Sequence, residues 1–179
     1  NLGLFTSSAS NLVPDDTNFA RDLFLQDRAL TQTTRVHVAN DGSEPDGPIG
    51  GSAGFSFFES AGMSTSGNLI VYESSATNLV LDDFNLFRDV FLFNQSAGTV
   101  SRLSTALDGV EPRGNSFDVT ISLDGSAIVF TSDAPNMVPN DNNLANDLFL
   151  VTTGVVEAPL FITATLVDAG QGIAFDDTV

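Results

Sequence analysis

The chain has 179 residues and is 42% hydrophobic with 15 Phe, which is enough for one domain with a substantial core and excludes a disordered polymer. Its 23 acidic residues outnumber 6 basic ones, giving a formal net charge of −17; such a surface disfavours nucleic acid and anionic membranes as partners and favours cations. Cysteine is absent, which excludes disulfides, thiolate metal sites and cysteine nucleophiles. No apolar run has the length needed for membrane insertion.

In chain order, "NLGLFTSSAS" opens on a strand; it lacks an initiator Met and a basic n-region and so does not read as a signal peptide. A polar loop leads to "DLFLQD" (22–27), a turn at "RALT" and a further strand "QTTRVHV" (32–38). The Gly/Pro-rich stretch 40–54 reads as a connection between units. "STSGNLIVYESSA" (64–76) ends in a strand and is followed by a second polar loop. Then come "DVFLFN" (89–94), a turn at "QSAG" and "TVSRLS" (99–104). A third round runs through "FDVTIS" (117–122), the hairpin turn "LDGS", "AIVFTS" (127–132), the loop "PNDNNLAN" and "DLFLVTT" (147–153). The tail 158–179 reads as the first two strands of another unit, with "FITATLV" and "GIAFDD" as the pair.

One fifteen-residue phrase occurs three times: "NLVPDDTNFARDLFL" (11–25), "NLVLDDFNLFRDVFL" (78–92) and "NMVPNDNNLANDLFL" (136–150). The copies align without a gap at offsets of 67 and 58 residues. Units are expected at about 1–45, 55–110 and 115–156, with a partial unit at 158–179, all within one β-repeat domain. Four short antiparallel strands per unit define an all-β, propeller-like repeat of about three blades. Ile128 and Phe130 share one strand face and Val129 takes the other, so both faces are apolar, as in a sheet packed between neighbours.

The pattern S-x-x-G-x-x-I-V-F-x-S followed by D-L-F-L, as in 122–132 and 147–150, resembles the WD40-like repeat of TolB-type β-propellers. The longer form, with "SASNLVPDDTN" ahead of "DLFLQDR", resembles a variant found in secreted and surface bacterial proteins. The resemblance covers about 150 residues. It implies a propeller fold and an extracellular, cell-surface or periplasmic location, and it leaves the activity open. Three units do not close a ring, which takes at least about four blades. The expectation is therefore a piece of a longer protein, a ring of two copies, or an open filament in which neighbouring chains complete unmatched terminal strands.

The repeated loop is the candidate site. It offers Asp16, Asn18 and Asp22, then Asp83, Asn85 and Asp89, then Asp141, Asn143 and Asp147. Oxygen donors spaced D-x-N-x-x-x-D suit calcium, which takes six to eight oxygens. The spacing departs from an EF-hand: the sixth position holds Arg21, Arg88 and Asn146, and the twelfth holds Asp27, Asn94 and Thr152. The competing reading is repeated Asx-turn chemistry. Asp41, Asp46, Asp124 and Asp168 stand near Gly and read as turn formers. His37 is the only histidine and reads as structural, because nothing in the sequence marks a Ser partner for it. No G-x-S-x-G, phosphate loop or selected carboxylate pair occurs.

These residues point to a non-catalytic extracellular scaffold or assembly subunit for a surface, adhesion or filament role, stabilised by calcium. Self-association through terminal strands and contact with a cell surface or glycan are its expected partnerships. The alternatives are a sugar- or peptide-binding propeller module, for which the absence of Trp counts against sugar, and the propeller of a hydrolase.

Overall fold

A computed structural model describes residues 1–50, 60–143, 145–154 and 164–167. Among these, eleven strands form three antiparallel sheets and no helix occurs. The first sheet has the order β1 (Leu2–Ser7), β2 (Asp22–Asp27), β3 (Gln32–Arg35). The second runs β4 (Ala61–Met63), β5 (Leu69–Ser74), β6 (Asp89–Asn94), β7 (Thr99–Arg102). The third contains β8 (Ser116–Ile121), β9 (Ala127–Ser132), β10 (Asp147–Thr152) and β11 (Ala164–Val167). Each sheet is a meander, so consecutive strands are neighbours, as in the blade of a propeller. The fold is β-propeller-like, with sheets that do not close into a ring.

The sequence explains the pairing. In each phrase the aromatic of D-x-F-L faces an aromatic on the preceding strand. Phe24 pairs with Phe5, Phe91 with Tyr72 and Phe149 with Phe130, all with rings stacked 5.4–5.9 Å apart. Such cross-strand pairs fix register, because a slip of one residue would turn each ring to the wrong face.

Two cores lie on either side of the second sheet. Ile70, Tyr72, Phe91 and Phe93 pack toward Leu23 and Leu25 of the first sheet and Val36 just beyond its last strand. Their strand neighbours Val71, Val90 and Leu92 pack with Val119, Ile128, Phe130 and Phe149 of the third. The period-two pleat thus sends alternate residues of one strand into different cores. The both-faces-apolar expectation is met in full by β5 and β6, whereas β9 alternates: Ile128 and Phe130 are buried and Val129 is half-exposed.

The tail departs from expectation. Ala164–Val167 pairs antiparallel with β10 as the outer strand of the third sheet, in the place that β7 takes in the second. The physical reason is the D-L-F-L strand, which has an outer hydrogen-bonding edge in every unit and takes the next extended apolar segment onto it. The strand expected over "GIAFDD" lies outside the described residues.

Candidate functional site

The three acidic loops join the second and third strands of the units, and the repeat gives each the same backbone. Asp15, Asp82 and Asn140 hold equivalent left-handed positions, with φ of 58°, 62° and 65°. Asp and Asn tolerate this region because their short polar side chains bond locally. Phe19 and Leu86 also share a column and are left-handed, at 55° and 60°.

Within each loop the Asn acts as a clamp. The backbone N–H groups of Ala20, Phe87 and Ala145 donate to Oδ1 of Asn18, Asn85 and Asn143 at 2.8–2.9 Å. The amide nitrogens of the same residues donate to Asp22, Asp89 and Asp147 at 3.2, 2.9 and 3.3 Å. The Asn oxygen is therefore spent on the turn, and a donor rather than a ligand faces the carboxylate.

Two of the loops also hold a guanidinium. Arg35 Nη1 is 3.6 Å from Asp16, 3.8 Å from Asp22 and 2.7 Å from Glu44. Arg102 occupies the same column in the second unit. It is 3.0 Å from Asp83, 3.6 Å from Asp89 and hydrogen-bonded to Glu111. The glutamates close each loop from outside: Glu44 accepts from Thr17 N at 2.8 Å, and Glu111 accepts from Phe84 N at 3.0 Å. Burial pushes Asp83 up to about 7, with the neighbouring Asp89 carboxylate adding to the rise and Arg102 opposing it. Burial likewise raises Asp16 and Asp89. Bonds from Thr17 and Arg35 hold Glu44 down at about 2.

The structure thus brings together Asp16, Asn18 and Asp22 in one loop and Asp83, Asn85 and Asp89 in the next. In the third loop Asn143 spans the gap to Asp147 and its backbone N–H donates to Asp141 Oδ1 at 3.4 Å. Arg35 and Arg102 pair in register with Phe24 and Phe91, and the residue that pairs with the equivalent Phe149 is Leu166. Among the described residues no three His, Asp or Glu side chains converge in metal-ligating geometry. The sequence reading passed over Arg35, Arg102, Glu44 and Glu111. The signal was present: "EPDG" at 44–47 and "EPRG" at 111–114 repeat at the same 67-residue offset, as do the arginines.

A second constellation was not foreseen. His37 Nδ1 lies 2.7 Å from Asp22 Oδ1, and its Nε2 lies 2.8 Å from Ser74 Oγ. Burial lowers the His37 pKa against the raising effect of Asp22. The neutral ring then donates from Nδ1 to Asp22 and accepts at Nε2 from the Ser74 hydroxyl, an assignment made from the hydrogen-bond network. This is the order of bonds in a Ser–His–Asp triad. All three side chains are fully buried. Ser74 Oγ also accepts from Ala76 N, and with its proton given to His37 it ties the second sheet to the segment that leaves the first. In the second unit Ser104 takes the His37 column and bonds Asp89 at 2.5 Å.

No family model and no curated protein matches the chain. Among solved structures it is similar to TolB from Acinetobacter baumannii, at 14% identity and a TM-score of 0.41 over 79% of this chain. The chain spans 26% of that protein's length. Among the described residues no helix is long and apolar enough to cross a membrane.

Proposed function

We propose that the chain is a non-catalytic β-propeller-type scaffold for surface, adhesion or assembly roles, whose acidic loops are locked by arginine rather than by calcium in the first two units. The observation that carries the reading is the complete burial of Asp22, His37 and Ser74. A nucleophilic hydroxyl must meet its substrate, and here the hydroxyl is spent on joining two sheets. The replacement of His37 by Ser104 in the next unit supports a structural role for the column. A calcium ion in either of the first two loops would have to displace a guanidinium and turn an Asn amide away from its carboxylate, which counts against calcium there. The acidic composition and the repeat's resemblance to secreted bacterial variants support an extracellular or cell-surface setting. The half-exposed edge strand β3 and the exposed Phe19 and Leu86 support self-association.

A fluorophosphonate probe tests the non-catalytic reading. The native protein is expected to stay unlabelled. Labelling at Ser74 that His37→Ala abolishes would overturn it.

A further inference from the structure

Two clefts recur at the boundaries between units. The first, of about 280 Å³, lies between the connection that leaves the first sheet and the loop of the second. The other, of about 270 Å³, has the same place one unit later. Asp41 and Asp108 occupy one column at their rims, and Asn78 and Asn136 another. The floors are Leu79–Val80 and Met137–Val138, and Leu81 and Leu107 stand exposed beside them. Both rims are built by Asp-Gly turns, with Gly42 at φ 84° and Gly109 at φ 76°. In each, Oδ1 of the Asp accepts a backbone N–H two residues on, from Ser43 at 2.9 Å and from Val110 at 3.0 Å. The asparagines are fixed by bonds to the incoming chain, Asn78 to Glu44 O at 2.8 Å and Asn136 to Glu111 O at 2.9 Å. The walls are thus held in place without an occupant.

We propose that these two clefts are equivalent subsites for lysine or arginine side chains of an extended basic partner segment. Their chemistry selects this occupant. One carboxylate at the rim over an aliphatic floor fits a cation carried on a methylene stem. It does not fit a calcium ion, which needs six to eight oxygens. Each volume is below the range of about 300–1,000 Å³ usual for small-molecule pockets and suits a single long side chain. The partner's charge follows from the net charge of −17, which draws a basic chain to this surface before any specific contact forms. Because the clefts repeat with the units, a partner carrying several basic residues offers an occupant to each, and where one segment engages both, each engagement raises the effective concentration for the other. The inference rests on the non-catalytic scaffold reading, and serine labelling would sink that reading without changing the peptide binding described next.

The test is fluorescence anisotropy with a fluorescein-labelled peptide of alternating lysine and serine, against the whole chain. Asp41→Asn and Asp108→Asn remove the charge and keep the Oδ1 that holds each turn. Asp124→Asn removes the same charge from the β8–β9 turn, remote in the repeat from both clefts. The proposal expects each cleft variant to weaken binding about fivefold, the control to change it less than about twofold, and lysine acetylation of the peptide to abolish it. Equal weakening by all three variants would overturn the proposal, since diffuse charge would then explain the attraction. So would undetectable binding of the unmodified peptide to the native protein.

Discussion

The guanidinium of Arg102 lies among carboxylates that burial makes reluctant to ionise, and its charge opposes that effect by favouring their ionised forms. Removing it leaves two buried acids without a counter-charge, a change that costs about 3–5 kcal/mol in buried pairs. Arg102→Ala is therefore expected to lower stability by roughly 3 kcal/mol near neutral pH in denaturant melts, and by less near pH 5, where Asp83 is protonated. The same residues set the pH response of the native chain. Asp83 has a folded pKa of about 7 against an ordinary 3.8, so between these values the folded state holds a proton that the unfolded state releases. Its contribution to stability therefore falls as pH rises through that window. Glu44 and Asp124 have the opposite sign. Both are held at about 2, and the stability they add above their ordinary values of 4.5 and 3.8 is lost as pH falls toward 2. Melting temperature measured against pH is expected to rise from about pH 8 to about pH 5 and to drop steeply below about pH 4, with Asp83→Asn flattening the first limb.

At the level of the strand and loop, the period-two pattern and the Asp-Gly and Gly-rich turns made the strands legible, and the threefold phrase set their order. The cross-strand ring pairs explain why: Phe24, Phe91 and Phe149 are both the repeated letters and the register pins. The loop was legible as a place but not as chemistry. Asp16, Asn18 and Asp22 are adjacent in sequence, whereas their partners Arg35 and Glu44 arrive from another strand and the following connection. Spacing reports the first kind of neighbour and is silent on the second. The glycine of the "EPxG" motif belongs to the same lesson. A Cβ on Gly114 would sit 2.7 Å from Ala134 Cα, so Gly114→Ala is expected to cost about 1–3 kcal/mol by thermal melting, although Gly114 is not in a left-handed conformation. On β5 the sign reverses. The Tyr72 hydroxyl is buried with no hydrogen-bond partner among the described residues, and Tyr72→Phe should raise stability by up to about 1 kcal/mol.

For the whole molecule, the second sheet is the keystone. It contributes alternate residues to both cores. A buried hydrogen bond reaches it from His37, just beyond the first sheet, and the half-buried Arg88 lies over the Phe117 ring of the third. Such an arrangement accounts for a repeat whose columns differ in identity while keeping their tasks, as with His37 and Ser104. It also places the source of cohesion inside the chain, in side chains that carry their own positive charge. Calorimetric melting of the native protein with excess calcium and with EDTA tests this most directly. The two melting temperatures are expected to coincide, while Arg102→Ala melts lower in both. A calcium-dependent rise in the native protein that Asp89→Asn abolishes would contradict the account.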